Sequence, residues 1–94
     1  MPKSRLEQIR DCIRRRDYDM SAHAAEEMAE DDLDIFDVEA ASLSGTISRQ
    51  EKDDPRGTKY VLLGFAADRR TPVGVVGRFA DESRFLIIKV YVVS

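Results

Sequence analysis

The chain has 94 residues, a net charge of -3 and a single cysteine. That length accommodates one domain, residues 1–94, around one core. A lone Cys12 excludes an internal disulfide and a cysteine metal cluster, and a reducing cytoplasm is the expected setting. The longest apolar run, Phe85 to Ile88, is far short of the ~20 residues a membrane span requires. The opening MPKSRLEQIR lacks the apolar stretch of a secretory leader, so no export signal is expected. Charge is strongly partitioned. Residues 1–16 carry Lys3, Arg5, Arg10, Arg14, Arg15 and Arg16 against Glu7 and Asp11, a net +4. Residues 17–48 hold ten acids and no Lys or Arg, and residues 49–94 return to +3. A positive surface is therefore compatible with the acidic total.

Ser4-Arg5-Leu6-Glu7 has the spacing of a capping box, and Leu6, Ile9, Cys12 and Ile13 recur at helical period, predicting a first helix to about Arg16. Cys12 falls on its buried stripe as a small apolar residue. Asp17 to Met20 reads as a connector. Ser21 is an N-cap for a second helix through Met28, which should end or bend at Glu30-Asp31-Asp32, since acids are unfavourable at the negative end of a helix. Asp34 caps a third helix with Ile35, Val38, Ala41 and Ser42 on one side, and Gly45 is the expected left-handed residue after it. The period then becomes two. Strands are predicted at Thr46–Glu51, Thr58–Ala67, Pro72–Phe79 and Arg84–Val93, joined by short polar turns. The fold class is α+β: N-terminal helices, about residues 5–44, on one face of a four-stranded antiparallel meander, about residues 46–93.

Regular alternation assigns Leu86, Ile88, Val90 and Val92 of the last strand to the core. Val73, Val75 and Phe79 join them from the third strand, with Val61, Leu63 and Phe65 from the second. The outer face then gathers Tyr60, Arg78, Lys89 and Tyr91. Two phenols and two cations on an open sheet face suit RNA, because cations neutralise phosphate and rings stack on bases. The same residues also suit a merely solvated face, which needs charge to prevent aggregation. His23, the only histidine, is a candidate general acid or base, or else a helix-start residue bonded to a neighbouring acid. The acids of residues 26–39 match no calcium-loop spacing, so neither a metal nor any other cofactor is expected.

The ordered motifs His23-Ala24-Ala25-Glu26-Glu27-Met28, Asp37-Val38-Glu39, Gly45-Thr46-Ile47, Asp54-Pro55-Arg56-Gly57-Thr58-Lys59-Tyr60, Val75-Val76 and Ile88-Lys89-Val90-Tyr91 resemble the DUF4258 family over residues 18–92. That family is grouped with the RelE/ParE-like and BrnT-like toxins of bacterial type II toxin–antitoxin systems. The resemblance implies a RelE-like fold and a metal-independent endoribonuclease acting on mRNA, free or ribosome-bound. Arg78, Lys89, Tyr91 and His23 are then the catalytic candidates, and Tyr60, Lys59, Arg69 and Arg70 the RNA-binding ones. It also implies a small antitoxin protein as partner, no membrane association, and leaves a homo-oligomer open. The sequence departs from the family pattern at two places. Glu27 stands where the family usually has Arg before Met, and Asp31 stands where a further Arg follows. Two acids in place of two cations would repel RNA from that helix. A non-catalytic protein-binding domain, including a gyrase-directed toxin of the ParE kind, is therefore the alternative.

Overall fold

The computed structural model describes residues 2–94 and is α+β, with three helices and a five-stranded mixed sheet. Helix α1 spans Arg5–Arg15, capped by Ser4 Oγ accepting from the Glu7 amide at 3.2 Å. Its amphipathic pattern buries Ile9, Cys12 and Ile13. Arg16 ends it in the left-handed region (φ 58°), and its amide returns to the Cys12 and Ile13 carbonyls. Helix α2 spans Ala22–Glu30 with Ser21 as N-cap. Helix α3 spans Ile35–Ser44, opened by a reciprocal capping box between Asp34 and Asp37.

The segment expected to be a connector is a strand. β1, Tyr18–Met20, lies parallel to the last strand at the sheet edge, with Tyr18 opposite Phe85 and Met20 opposite Ile87. The other strands are β2 (Thr46–Glu51), β3 (Lys59–Phe65), β4 (Pro72–Asp81) and β5 (Arg84–Val92), and the spatial order is β1-β5-β4-β3-β2. The antiparallel meander is thus extended by a fifth, parallel strand. Long-range bonds hold β1 in place. Arg84 donates two bonds to the Asp19 carboxylate, at 2.6 and 2.8 Å, and the Tyr18 hydroxyl donates to Glu39 at 2.6 Å. Three residues are too few to show a convincing alternation, which is why Tyr18-Asp19-Met20 was legible only with its partner present.

Gly45 is extended (φ -82°, ψ 169°) and not left-handed as the sequence suggests. The position requires glycine because of close approach. A Cβ there would lie 2.6 Å from the Ala41 carbonyl oxygen and 2.7 Å from that of Leu63. A Cβ on Gly64 would meet the Ala41 oxygen at 2.1 Å, so these two glycines let α3 sit directly on β3.

Two expected faces are corrected. On β5 the core residues are Phe85, Ile87 and Val90, each with no exposed surface. Leu86 and Ile88 are half-buried on the opposite side, and Val92 is 36% exposed. The cause is a bulge: Val76 pairs with Lys89 but Gly77 pairs with Ile87, so Ile88 is an extra residue and the alternation changes phase there. On β3 the core side carries Tyr60, Leu62 and Ala66, while Leu63 and Phe65 are 39% and 49% exposed on the outer face. Tyr60 therefore leaves the predicted outer cluster. It is 5% exposed and meets Phe79 edge-on at 5.8 Å, and Phe79 meets Phe85 in turn at 5.4 Å. The β4 assignment agrees, with Val73 and Val75 in the core and Phe79 packed against it.

Candidate functional site: a basic cleft on the outer sheet face

The register sets residues from separate strands side by side. Arg49 of β2 pairs with Val61 of β3, Val61 with Val76 of β4, and Val76 with Lys89 of β5. Val61 and Val76, only 3% and 8% exposed, form an apolar floor between two cations. Two residues along, on the same face, Glu51 pairs with Lys59. These rows and the start of α2 enclose an open cleft of about 570 Å³ lined by His23, Arg49, Glu51, Lys59, Val76, Ile88, Lys89 and Tyr91.

Arg49, Lys59 and Lys89 outweigh Glu51 in the lining. Lys59 Nζ also lies 3.7 Å from Asp54. Asp54 is held at about 2, below its ordinary 3.8, first by a bond from the Arg56 amide and then by the Arg56 guanidinium. His23 sits one residue into α2, with its side chain 68% exposed, and its Nε2 lies 3.4 Å from Glu27 Oε1. The same Glu27 oxygen accepts the Val90 amide at 3.2 Å, and Asp31 accepts the Val92 amide at 3.2 Å. This explains the two acids at positions 27 and 31. β1 ends at Met20, so β5 has no strand neighbour beyond Ile87 on that side, and the α2 carboxylates take its amides instead. Arginine, which only donates, cannot do this.

The structure brings His23, Lys59, Lys89 and Tyr91 of the sequence candidates into one lining, and adds Arg49. Arg78 is half-buried on the same face as Val76 but outside the lining, opposite Leu86. Arg69 and Arg70 lie in the β3–β4 turn, past the opposite end of β3 from Lys59, roughly 20 Å away at the usual rise of a strand. Arg69 instead borders a different cavity with Ala40, Ser44 and Phe65. Tyr60 is on the other face altogether. Arg49 was missed because Ser48 is a bulge in β2, between the pairs at Ile47 and Arg49, and because an edge-strand cation is indistinguishable in sequence from a solvated one. Among the described residues, no group of three or more His, Cys, Asp or Glu side chains converges on a metal site, and no helix is long and apolar enough to cross a membrane. Burial raises the Cys12 thiol, which is 1% exposed in the core.

A small α+β domain with an open basic cleft is the class these features define. The chain belongs to the family described as Domain of unknown function (DUF4258), whose model matches residues 20–92. No curated protein and no solved structure matches it.

Proposed function

We propose that this protein is a RelE/ParE-like toxin component of a type II toxin–antitoxin module, working in the cytoplasm as a metal-independent endoribonuclease. The observation that carries the reading is the cleft in which His23, Lys89, Arg49 and Lys59 share one lining. The chemistry needs only groups of this kind. His23, oriented by Glu27, takes the proton from a ribose 2′-OH as that oxygen attacks the adjacent phosphorus. The 2′-O–P bond forms and the P–O5′ bond breaks. The 5′ oxygen leaves with a proton from solvent, and the other product ends in a 2′,3′-cyclic phosphate. Lys89 stabilises the phosphorane charge, and Arg49 and Lys59 hold the flanking phosphates. Arg78 borders this track from the same face. A small antitoxin would neutralise the protein by covering the cleft with an acidic segment.

The test is a cleavage assay on single-stranded RNA with mapping of product ends. Expected are 2′,3′-cyclic phosphate termini that disappear in Lys89→Ala and His23→Ala. Cleavage that persists in both variants sinks the site. If the wild-type protein leaves RNA intact yet captures a basic partner through Glu26 and Glu30 of α2, the non-catalytic docking reading replaces it.

A further inference from the structure

The two ends of the sheet are finished differently. At one end β1 is three residues long, and beyond it Glu27 and Asp31 take the amides of Val90 and Val92. At the other end β2 is the last strand in the order, and among the described residues no strand pairs with its outer side. Ser48, Arg49, Gln50 and Glu51 are all exposed there. The register decides which backbone groups face outward. The Ala66 amide bonds the Thr71 carbonyl at 2.9 Å, one pair beyond Phe65 and Pro72. In an antiparallel ladder every second residue turns its N–H and C=O to the same neighbour. Tyr60 and Leu62 therefore bond toward β4, and Lys59 and Val61 toward β2. Arg49 and Glu51, the partners of Val61 and Lys59, bond back to β3. Gln50 between them turns its N–H and C=O away from the sheet, to the open edge.

From this edge we infer that two copies of the chain pair β2 against β2, antiparallel about a two-fold axis at Gln50, and join their clefts on one face. Charge fixes the position of the axis. With Gln50 opposite Gln50 of the second copy, the two backbones exchange N–H···O=C bonds. Arg49 of each copy then stands directly opposite Glu51 of the other. That pair is of the non-hydrogen-bonded kind, whose side chains approach most closely. An axis at Arg49, Glu51 or Lys52 would oppose like charges, and the bulge at Ser48 breaks the regular edge before them. Within one chain Arg49 and Glu51 come only to 4.0 Å, with side chains 70% and 45% exposed, so both can turn to a neighbour across the edge. A two-fold axis through the sheet opens both outer faces on the same side. Lys59 and Lys89 of both copies then lie along one trough, with the two Lys89 roughly 34 Å apart at seven strand spacings. Arg49 carries five donors, so an ion pair leaves it able to hold a phosphate. A contact along one short strand is small, so the dimer is weak and forms with rising concentration. The pairing is independent of the RNA reading above; only what the joined trough holds depends on it.

Sedimentation equilibrium of the chain without RNA, from about 1 μM to about 1 mM, measures the pairing. A monomer–dimer equilibrium is expected, weakening as salt screens the exposed ion pairs. Glu51→Arg and Arg49→Glu should each weaken the dimer about tenfold or more, since two attractive pairs become two repulsive ones. The double variant, with the two charges exchanged, should restore it. Gln50→Pro should abolish the dimer and keep the bonds between β2 and β3, because the lost N–H points outward. Melting curves show whether each variant folds; if Gln50→Pro does not, the charge exchange decides. A chain that stays monomeric throughout, or a dimer indifferent to both single reversals, overturns the pairing. So does a double variant that associates no better than the single ones. Cleavage of RNA is measured separately, so loss of the pairing leaves the RNA reading standing, and absence of cleavage leaves the pairing standing.

Discussion

Ile87 and Ile88 are adjacent, chemically identical and on opposite sides of the sheet, so truncating each to alanine measures the β5 bulge directly. Ile87 has no exposed surface and belongs to the core cluster. Ile87→Ala removes three buried carbons at about 0.8 kcal/mol each, roughly 2.4 kcal/mol of transfer free energy. The cavity left behind brings the expected loss into the range of about 2–5 kcal/mol. Ile88 is half-buried and lines the open cleft, so solvent fills the space its side chain vacates. About half the transfer term and no enclosed cavity leave Ile88→Ala at roughly 1 kcal/mol. Urea unfolding followed by far-UV circular dichroism measures both. In a domain of this size each kcal/mol lowers the melting temperature by about 4–8 °C, so Ile87→Ala should melt at least ~8 °C below the parent. A larger loss for Ile88→Ala would show that Leu86, Ile88, Val90 and Val92 share the core face in unbroken alternation and that the phase change at Ile88 is absent, and equal losses would refute the difference in burial between the two.

Glu27→Leu should cost about 1–3 kcal/mol because the Val90 amide loses its acceptor, whereas Glu27→Gln keeps a carbonyl oxygen there and should cost less; hydrogen exchange at Val90 reports the difference. Asp54 and Asp68 are both held at about 2 in the folded protein, Asp68 first by the Thr71 hydroxyl and then by the Thr71 and Arg70 amides. Depressed carboxylates stabilise the fold fully above their ordinary value of 3.8, and the contribution fades as pH falls through about 2. The melting temperature should therefore fall between those limits, and Asp54→Asn with Asp68→Asn should flatten the fall; an unchanged slope refutes the assignment. Dialysis against a chelator should leave both the melting curve and RNA cleavage unaltered, and a loss restored by one metal would contradict the cleft mechanism. RNA affinity should fall steeply with salt, and Lys89→Ala should make that dependence shallower in a titration at several ionic strengths.

Much of this was written locally. Ser4, Ser21 and Asp34 each place an oxygen where the first amides of a helix need one, so the three helix starts follow from neighbouring residues alone. The turns around Pro55-Arg56-Gly57 and Asp68 are equally local, and together these set the α+β class, the antiparallel order of β2 to β5 and most element boundaries. Chain-distant partners decided the rest. Tyr18-Asp19-Met20 becomes a strand only because β5 offers it an edge and Arg84 a charge. Glu27 and Asp31 look repulsive toward RNA in sequence, and their use as acceptors for unpaired β5 amides appears only when α2 lies along that edge. The faces of β3 and β5 were the hardest to read. In Phe85-Leu86-Ile87-Ile88 and Tyr60-Val61-Leu62-Leu63 both sides of the strand are apolar, so alternation carries no contrast, and one inserted residue at Ile88 exchanges the faces. The cleft inherits that dependence. Arg49, Lys59, Lys89 and His23 come from four separate elements, and only the register across the sheet and the docking of α2 bring their charges close enough to act on one ligand.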